Sequence, residues 1–161
     1  MGLGDALIGT WRLRSREDRL ESGDLREEPT LGSDPHGLLV YDRAGNFAAQ
    51  FMKRDRPVVV SEVPAGSATA PATGEAAASA TLASNNSTAV GGYDAYFGTY
   101  TVDDATNLVT QRLVAALTPA DVGYVVTREM RVVDDELVIR IAMTTADGVP
   151  VVRTLRWSRE A

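Results

Sequence analysis

From residue 9 to residue 16, hydrophobic and polar positions alternate. Trp11, Leu13 and Ser15 fall on one side and Arg12, Arg14 and Arg16 on the other. A period of two is the pattern of a strand with one buried and one wet face, which puts Arg16 on the wet one. The closing run, Thr154-Leu155-Arg156-Trp157-Ser158, has the same pattern and its own Trp. Further runs of this kind lie between them, at residues 37–41, 47–52, 93–102, 108–117, 122–133 and 137–144, and the closing run itself extends over 149–158. Most are joined by short clusters of Asp, Asn and Gly, such as Asp42-Arg43-Ala44-Gly45-Asn46, Asp103 to Asn107, Asp134-Asp135-Glu136 and Ala146-Asp147-Gly148. These residues suit tight turns because they tolerate positive φ or bond their own backbone.

The pattern predicts an all-β fold: a single antiparallel up-and-down barrel of about eight strands, one domain over residues 1–161. Its first and last strands meet, which removes the sheet edges and encloses an interior able to hold a ligand. Trp11 is expected to plug the closed end, under the guanidinium of Arg156 as a cation–π pair. Residues 17–36 read as an irregular connection, and Val58-Val59-Val60 as a short edge strand or loop. Residues 64–90 are rich in Ala, Ser, Thr and Gly. They read as a long connection with one short helix over 74–83, either a gate across the barrel mouth or a low-complexity loop.

Composition narrows the function. The chain has no cysteine, so disulfides, thiolate metal sites and cysteine nucleophiles are excluded. A net charge of −6 argues against a nucleic-acid partner. The apolar runs are too short to cross a membrane as helices, and the N-terminus lacks the features of a signal peptide. The expectation is a cytoplasmic protein, monomer or homodimer. His36 is the only histidine and precedes a strand, which suits a turn better than a metal site. No metal and no cofactor are expected. Arg54-Asp55-Arg56-Pro57 reads as a loop cluster of charge or as a rim of the mouth, and Asn86-Ser87-Thr88 as a chance glycosylation pattern.

Candidate chemistry lies on the strands. Tyr96 and Tyr100 share a face, and Gly98 between them leaves space close to the backbone. Tyrosine offers an apolar wall with a polar tip, and a phenol beside an oxyanion can donate a hydrogen bond; core packing explains the pair equally. Arg112 and Arg128 stand mid-strand among apolar neighbours. An inward arginine would hold a carboxylate or enolate oxygen, and an outward one belongs to a solvated face. Arg128 shares its face with Tyr124, Val126 and Met130, and Glu129 lies on the other face. Gln50 lies with Met52 on the face opposite Phe47, Ala49 and Phe51; pointing inward it would contact ligand. This reading makes Tyr96, Tyr100, Arg112 and Arg128 candidate catalytic groups. Tyr41, Gln50, Met52, Gly98, Tyr124, Glu129 and Met130 are candidate ligand contacts.

Several segments together resemble the lipocalin-like domain family of bacteria and fungi, among the calycin-type barrels. They are Leu7-Ile8-Gly9-Thr10-Trp11, Gly37-Leu38-Leu39-Val40-Tyr41 with Gly45 and Ala49-Gln50, Arg54-Asp55-Arg56-Pro57, Ala95-Tyr96-Phe97-Gly98-Thr99-Tyr100 and Leu155-Arg156-Trp157. The resemblance runs in order from about residue 5 to residue 158 and implies one barrel with a central cavity. Barrels of this broad type carry apolar small molecules or catalyse cyclisation and isomerisation in biosynthesis. The chain departs from the family where histidines commonly follow a Val-Thr pair: here Gln111 and Arg112 follow Val109-Thr110. The family's aromatic near the next proline is also missing, with Asp121 close to that position.

The expected function is therefore a small-molecule-binding barrel for an apolar or polyketide-like compound, acting as a cofactor-independent cyclase or isomerase of a biosynthetic pathway. The alternative is a non-catalytic carrier or sensor of a small hydrophobic ligand.

Overall fold

The computed structural model of the chain describes residues 1–56, 58 and 89–161. The helix expected over 74–83, the Val59-Val60 part of the possible edge strand, Pro57 and Asn86-Ser87-Thr88 lie outside the described residues.

In chain order the elements are helix α1 (Leu3–Leu7) and strands β1 (Gly9–Arg19), β2 (Leu25–Arg26), β3 (His36–Tyr41), β4 (Asn46–Met52), β5 (Tyr93–Asp103), β6 (Leu108–Ala116), β7 (Val125–Val133), β8 (Glu136–Thr144) and β9 (Pro150–Arg159). A 3-10 turn (Pro119–Asp121) sits between β6 and β7. Strands β3 to β9 pair antiparallel in sequence order, and β1 pairs with both β3 and β9. Eight strands thus close a barrel, with β2 as a ninth strand hydrogen-bonded to β1. The first and last strands meet along Trp11↔Arg159 to Arg19↔Val152.

The turn residues behave as their chemistry requires. Gly45, Asn107 and Asp134 take positive φ (87°, 57° and 53°) in the three tight connections at one end of the barrel. Asp42 accepts from the backbone N–H groups of Ala44 and Asn46 and from the Asn46 amide, which locks the β3–β4 hairpin.

That end is closed by α1, whose Leu3 and Leu7, four residues apart, both turn inward. Trp11 is 0% exposed beneath them and donates its indole N–H to Leu7 O at 2.8 Å. The cation over its ring is Arg159, 4.2 Å from the centroid, and not Arg156. Register explains the correction: Arg159 is the residue opposite Trp11, and the outward Arg156 pairs with Glu136 instead. Arg159 also donates to the carbonyls of Ile8 and Ala6, so one side chain ties β9 to the end of α1.

β1 departs from simple alternation. It runs on to Arg19, into the stretch expected to be irregular, and its register with β9 shifts between Leu13 and Ser15. A bulge of this kind exchanges the two faces of the strand beyond it. Trp11 and Leu13 point inward before it. After it Arg16 and Asp18 point inward, only 2% and 3% exposed. The expectation of an outward Arg16 is thereby corrected.

Candidate functional site

The barrel interior is filled from the closed end by Trp11, Tyr41, Phe47, Met130 and Leu137, and above them by Leu39, Phe51, Ile139, Leu155 and Trp157. Within this apolar wall stands a connected set of polar side chains from four strands. Arg128 of β7, 6% exposed, donates from Nη1 to Gln111 Oε1 of β6 at 2.5 Å. Gln111 donates from Nε2 to the Tyr41 hydroxyl of β3 at 2.8 Å, and that hydroxyl donates to Met130 Sδ at 3.6 Å. Tyr96 of β5 bonds to Arg128 through its side chain. The space between these groups is about 10 Å³, room for about one water molecule. The interior is a packed polar-in-apolar site.

Burial sets the protonation of its members. Desolvation raises the pKa values of the Tyr41 and Tyr96 hydroxyls, and the Arg128 charge offsets only part of that. Both are therefore neutral hydrogen-bonding phenols across the physiological range. Arg128 brings a guanidinium, a planar cation with five N–H donors, into this wall. Its Nε has no hydrogen-bond partner among the described residues.

Toward the open end the wall becomes ionic. Asp94, two residues before Tyr96 on the same face of β5, is 1% exposed, and its Oδ2 has no partner among the described residues. Its carboxyl is pushed up to about 7, first by desolvation and then by the charge of Asp121, against the weaker pull of the Ala95 backbone N–H, Arg128 and Arg16. On β1 and β9, Asp18 receives Arg153 Nε and Nη2 at 2.7 and 2.8 Å, with both side chains buried. Beside them Arg16 Nη1 donates to Glu28 Oε2 at 2.7 Å and to Gly32 O at 3.3 Å. Glu28 belongs to the connection that crosses the mouth. It also accepts from the N–H groups of Thr30 and Leu31 and from the Thr30 hydroxyl. Leu31, 1% exposed, is thereby seated as a stopper.

Of the side chains singled out in the sequence, the structure brings Tyr41, Tyr96, Arg128 and Met130 together in the interior. Tyr124 lies half-buried just before β7, on the face that carries Arg128. Tyr100 stands toward the closed end, edge-on to Tyr41 with centroids 4.8 Å apart, its hydroxyl on Asp42 O at 2.8 Å. Arg112 and Glu129 are exposed on the outer face. Gln50 is also exposed there, accepting the Tyr93 hydroxyl at 3.1 Å, with half-buried Met52 beside it. Gly98 is buried, but a Cβ on it would sit 1.8 Å from Arg112 O. Its missing side chain therefore makes room for the neighbouring strand at a bulge between Phe97 and Gly98.

Sequence reasoning missed Gln111, Asp94, Arg16, Asp18 and Arg153 as interior groups. Gln111 alternates in phase with Val109 and Leu113, so period two places it inside. Arg153 alternates in phase with Val151, Leu155 and Trp157, and Asp94 with Tyr96, so period two alone places both inside. Arg16 and Asp18 had no such signal, because the bulge hides them.

Among the described residues no group of three or more His, Cys, Asp or Glu side chains is placed to hold a metal ion, and no helix is long and apolar enough to cross a membrane. No curated protein matches the chain in sequence. Residues 8–160 match the profile of the lipocalin-like domain, a span that takes in all eight barrel strands and the interior groups described above. The chain belongs to the lipocalin-like domain family.

Proposed function

We propose that the barrel takes a small, mainly apolar molecule with one carbonyl oxygen and isomerises or cyclises it by proton transfer, without a cofactor. The observation that carries this is Arg128: a buried cation inside an apolar wall, held by Gln111 and Tyr96 and with Nε unpaired among the described residues. A fixed charge in a water-poor site stabilises a developing oxyanion far better than the same charge in water. With about 10 Å³ free between the polar groups, a substrate enters only as the packed side chains move aside, and the apolar wall would then fix one of its conformers, as orientation-driven catalysis requires.

In this reading the Asp94 carboxylate takes a proton from the carbon next to the carbonyl. The electron pair of the C–H bond forms a carbon–carbon double bond as the carbonyl π pair moves onto the oxygen, which Arg128 and the Tyr96 hydroxyl hold as an enolate. Where a carbon–carbon double bond lies one carbon further on, the carbonyl re-forms, the double bond shifts and Asp94 returns the proton to the far carbon. In a cyclisation the enolate carbon attacks a polarised double bond of the same molecule, whose electron pair takes the proton back from Asp94. Neither course needs an oxidant or reductant. A carboxyl titrating near 7 suits such a base. Arg112 and Glu129 lie on the outer face, so the enzymatic reading rests on Arg128.

Deuterium uptake next to the carbonyl of a set of medium-chain ketones, followed by NMR in D2O, tests this. The expected result is exchange above the buffer rate with the wild type and its loss in Arg128→Met and Asp94→Asn. Exchange that is the same in all three proteins and in buffer contradicts the reading. The carrier reading is favoured by one specific observation: the polar atoms of Gln111 and Tyr41 are already paired with one another. It predicts ketone binding without exchange.

A further inference from the structure

Three N–H groups at the mouth lack acceptors among the described residues. Arg153 uses Nε and Nη2 on Asp18 and leaves Nη1 free; Arg16 uses Nη1 on Glu28 and Gly32 and leaves Nε and Nη2 free. The two arginines are diagonal neighbours on paired strands, since Arg16 stands opposite Leu155 and Asp18 opposite Arg153. Buried guanidinium donors without acceptors are costly, and two like charges side by side add to that cost. Arg128 lies in the same interior. Arg16 and Arg153 thus face the carboxylates of Asp18 and Glu28, and Arg128 and Arg16 both act on the further acid, Asp94.

We propose that Arg16 and Arg153 form a carboxylate-binding site at the barrel mouth, held in part by the chain's own Glu28, and that the molecule taken by the barrel is an acid. This rests on the reading that the interior accepts a small molecule, and it adds a second anchor for that molecule. Glu28 is the exchangeable anion. It comes from a connection and its side chain is 12% exposed, whereas Asp18 stands on β1 and is 1% exposed. An incoming carboxylate that takes its place on Arg16 leaves no charge unpaired. Releasing Glu28 also frees the turn that seats Leu31, which opens the way to the interior. A recess of about 290 Å³ lined by Asp18, Glu28, Met143 and Arg153 already lies beside the site, close to the lower end of ordinary ligand pockets, ~300 Å³.

Octanoate tests the site, with 1-octanol as the uncharged molecule of equal chain length. Binding is read by calorimetry and by the arginine Nε–H signals in NMR. Octanoate is expected to shift the Arg16 and Arg153 signals, and octanol to shift neither. Glu28→Gln removes the internal competitor and should tighten octanoate by about tenfold. The double variant Arg16→Gln/Glu28→Gln, which leaves no orphaned charge, should lose that gain. Equal binding of octanoate and octanol overturns the proposal. So does octanoate that moves only the Arg128 signal and ignores Glu28→Gln, but that result leaves the central site standing. If no arginine signal moves, the mouth proposal falls, and the ketone exchange decides the central reading separately. Should the double variant not fold, Glu28→Gln alone still decides.

Discussion

Asp18 and Arg153 face each other across the β1–β9 seam and share two hydrogen bonds of 2.7 and 2.8 Å, both side chains 1% exposed. A pair this dry is worth little net, because desolvation of both ions offsets their attraction, yet breaking it strands one charge. Asp18→Asn or Arg153→Met should each cost about 3–5 kcal/mol, whereas the double substitution to Leu and Met should be near neutral. Urea denaturation of the four proteins checks this; a double variant as unstable as the sum of the singles contradicts it.

Trp11 and Arg159 bind the closed end by packing more than by charge. Trp11→Ala should lose about 3–5 kcal/mol. Arg159→Ala removes the ring contact and the two bonds to the end of α1, with an expected cost of about 1–2 kcal/mol. Hydrogen exchange should show faster opening of residues 3–11 in Arg159→Ala than in the barrel strands. Uniform loss of protection would contradict the local role.

Asp94 makes stability depend on pH in the direction opposite to an ordinary paired carboxylate. Its folded value, about 7, lies above its ordinary 3.8, so folding favours the protonated form. The contribution is fully present below pH 3.8 and is lost as pH rises through about 7. A tenfold difference in proton affinity between the folded and unfolded chain is worth ~1.4 kcal/mol. Burial sets this first; Asp121 adds to it, and the Ala95 backbone N–H, Arg128 and Arg16 oppose it. Asp94→Asn should therefore gain stability relative to the wild type between about pH 4 and pH 8, by a few kcal/mol at most. A difference between the two proteins that does not change with pH refutes the assignment.

Gly98 leaves no room for a side chain, since a Cβ would stand 1.8 Å from Arg112 O, a backbone atom that cannot swing away. Gly98→Ala should shift the β5–β6 register or prevent folding. Native-like near-ultraviolet circular dichroism with wild-type stability would show that the bulge is softer than described.

The barrel was legible in the sequence because alternation reports directly on which face of a strand is buried. Trp11, Tyr96, Arg128 and Met130 all obey it, and the seam between β1 and β9 followed from the paired Trp runs. At the mouth alternation reaches Arg153 and Asp94 but not their partners on β1, for a physical reason: one bulge between Leu13 and Ser15 reverses the faces of β1 and carries Arg16 and Asp18 inside. Helix α1 was equally hidden, since two leucines four residues apart in a five-residue element make too short a pattern to recognise. The central site was half visible. Arg128 stood out as a charge among apolar neighbours, but Gln111 gained its role only from the side chains that the barrel brings round to it.

Whether Arg128 anchors a small molecule inside the barrel is decided by native mass spectrometry of the wild type and Arg128→Met. Both would be measured as purified and after adding medium-chain ketones, with circular dichroism confirming the fold. If Arg128 is the anchor, the wild type carries a bound molecule that Arg128→Met does not retain. Equal retention by both proteins, or a wild type that stays empty throughout, would contradict it.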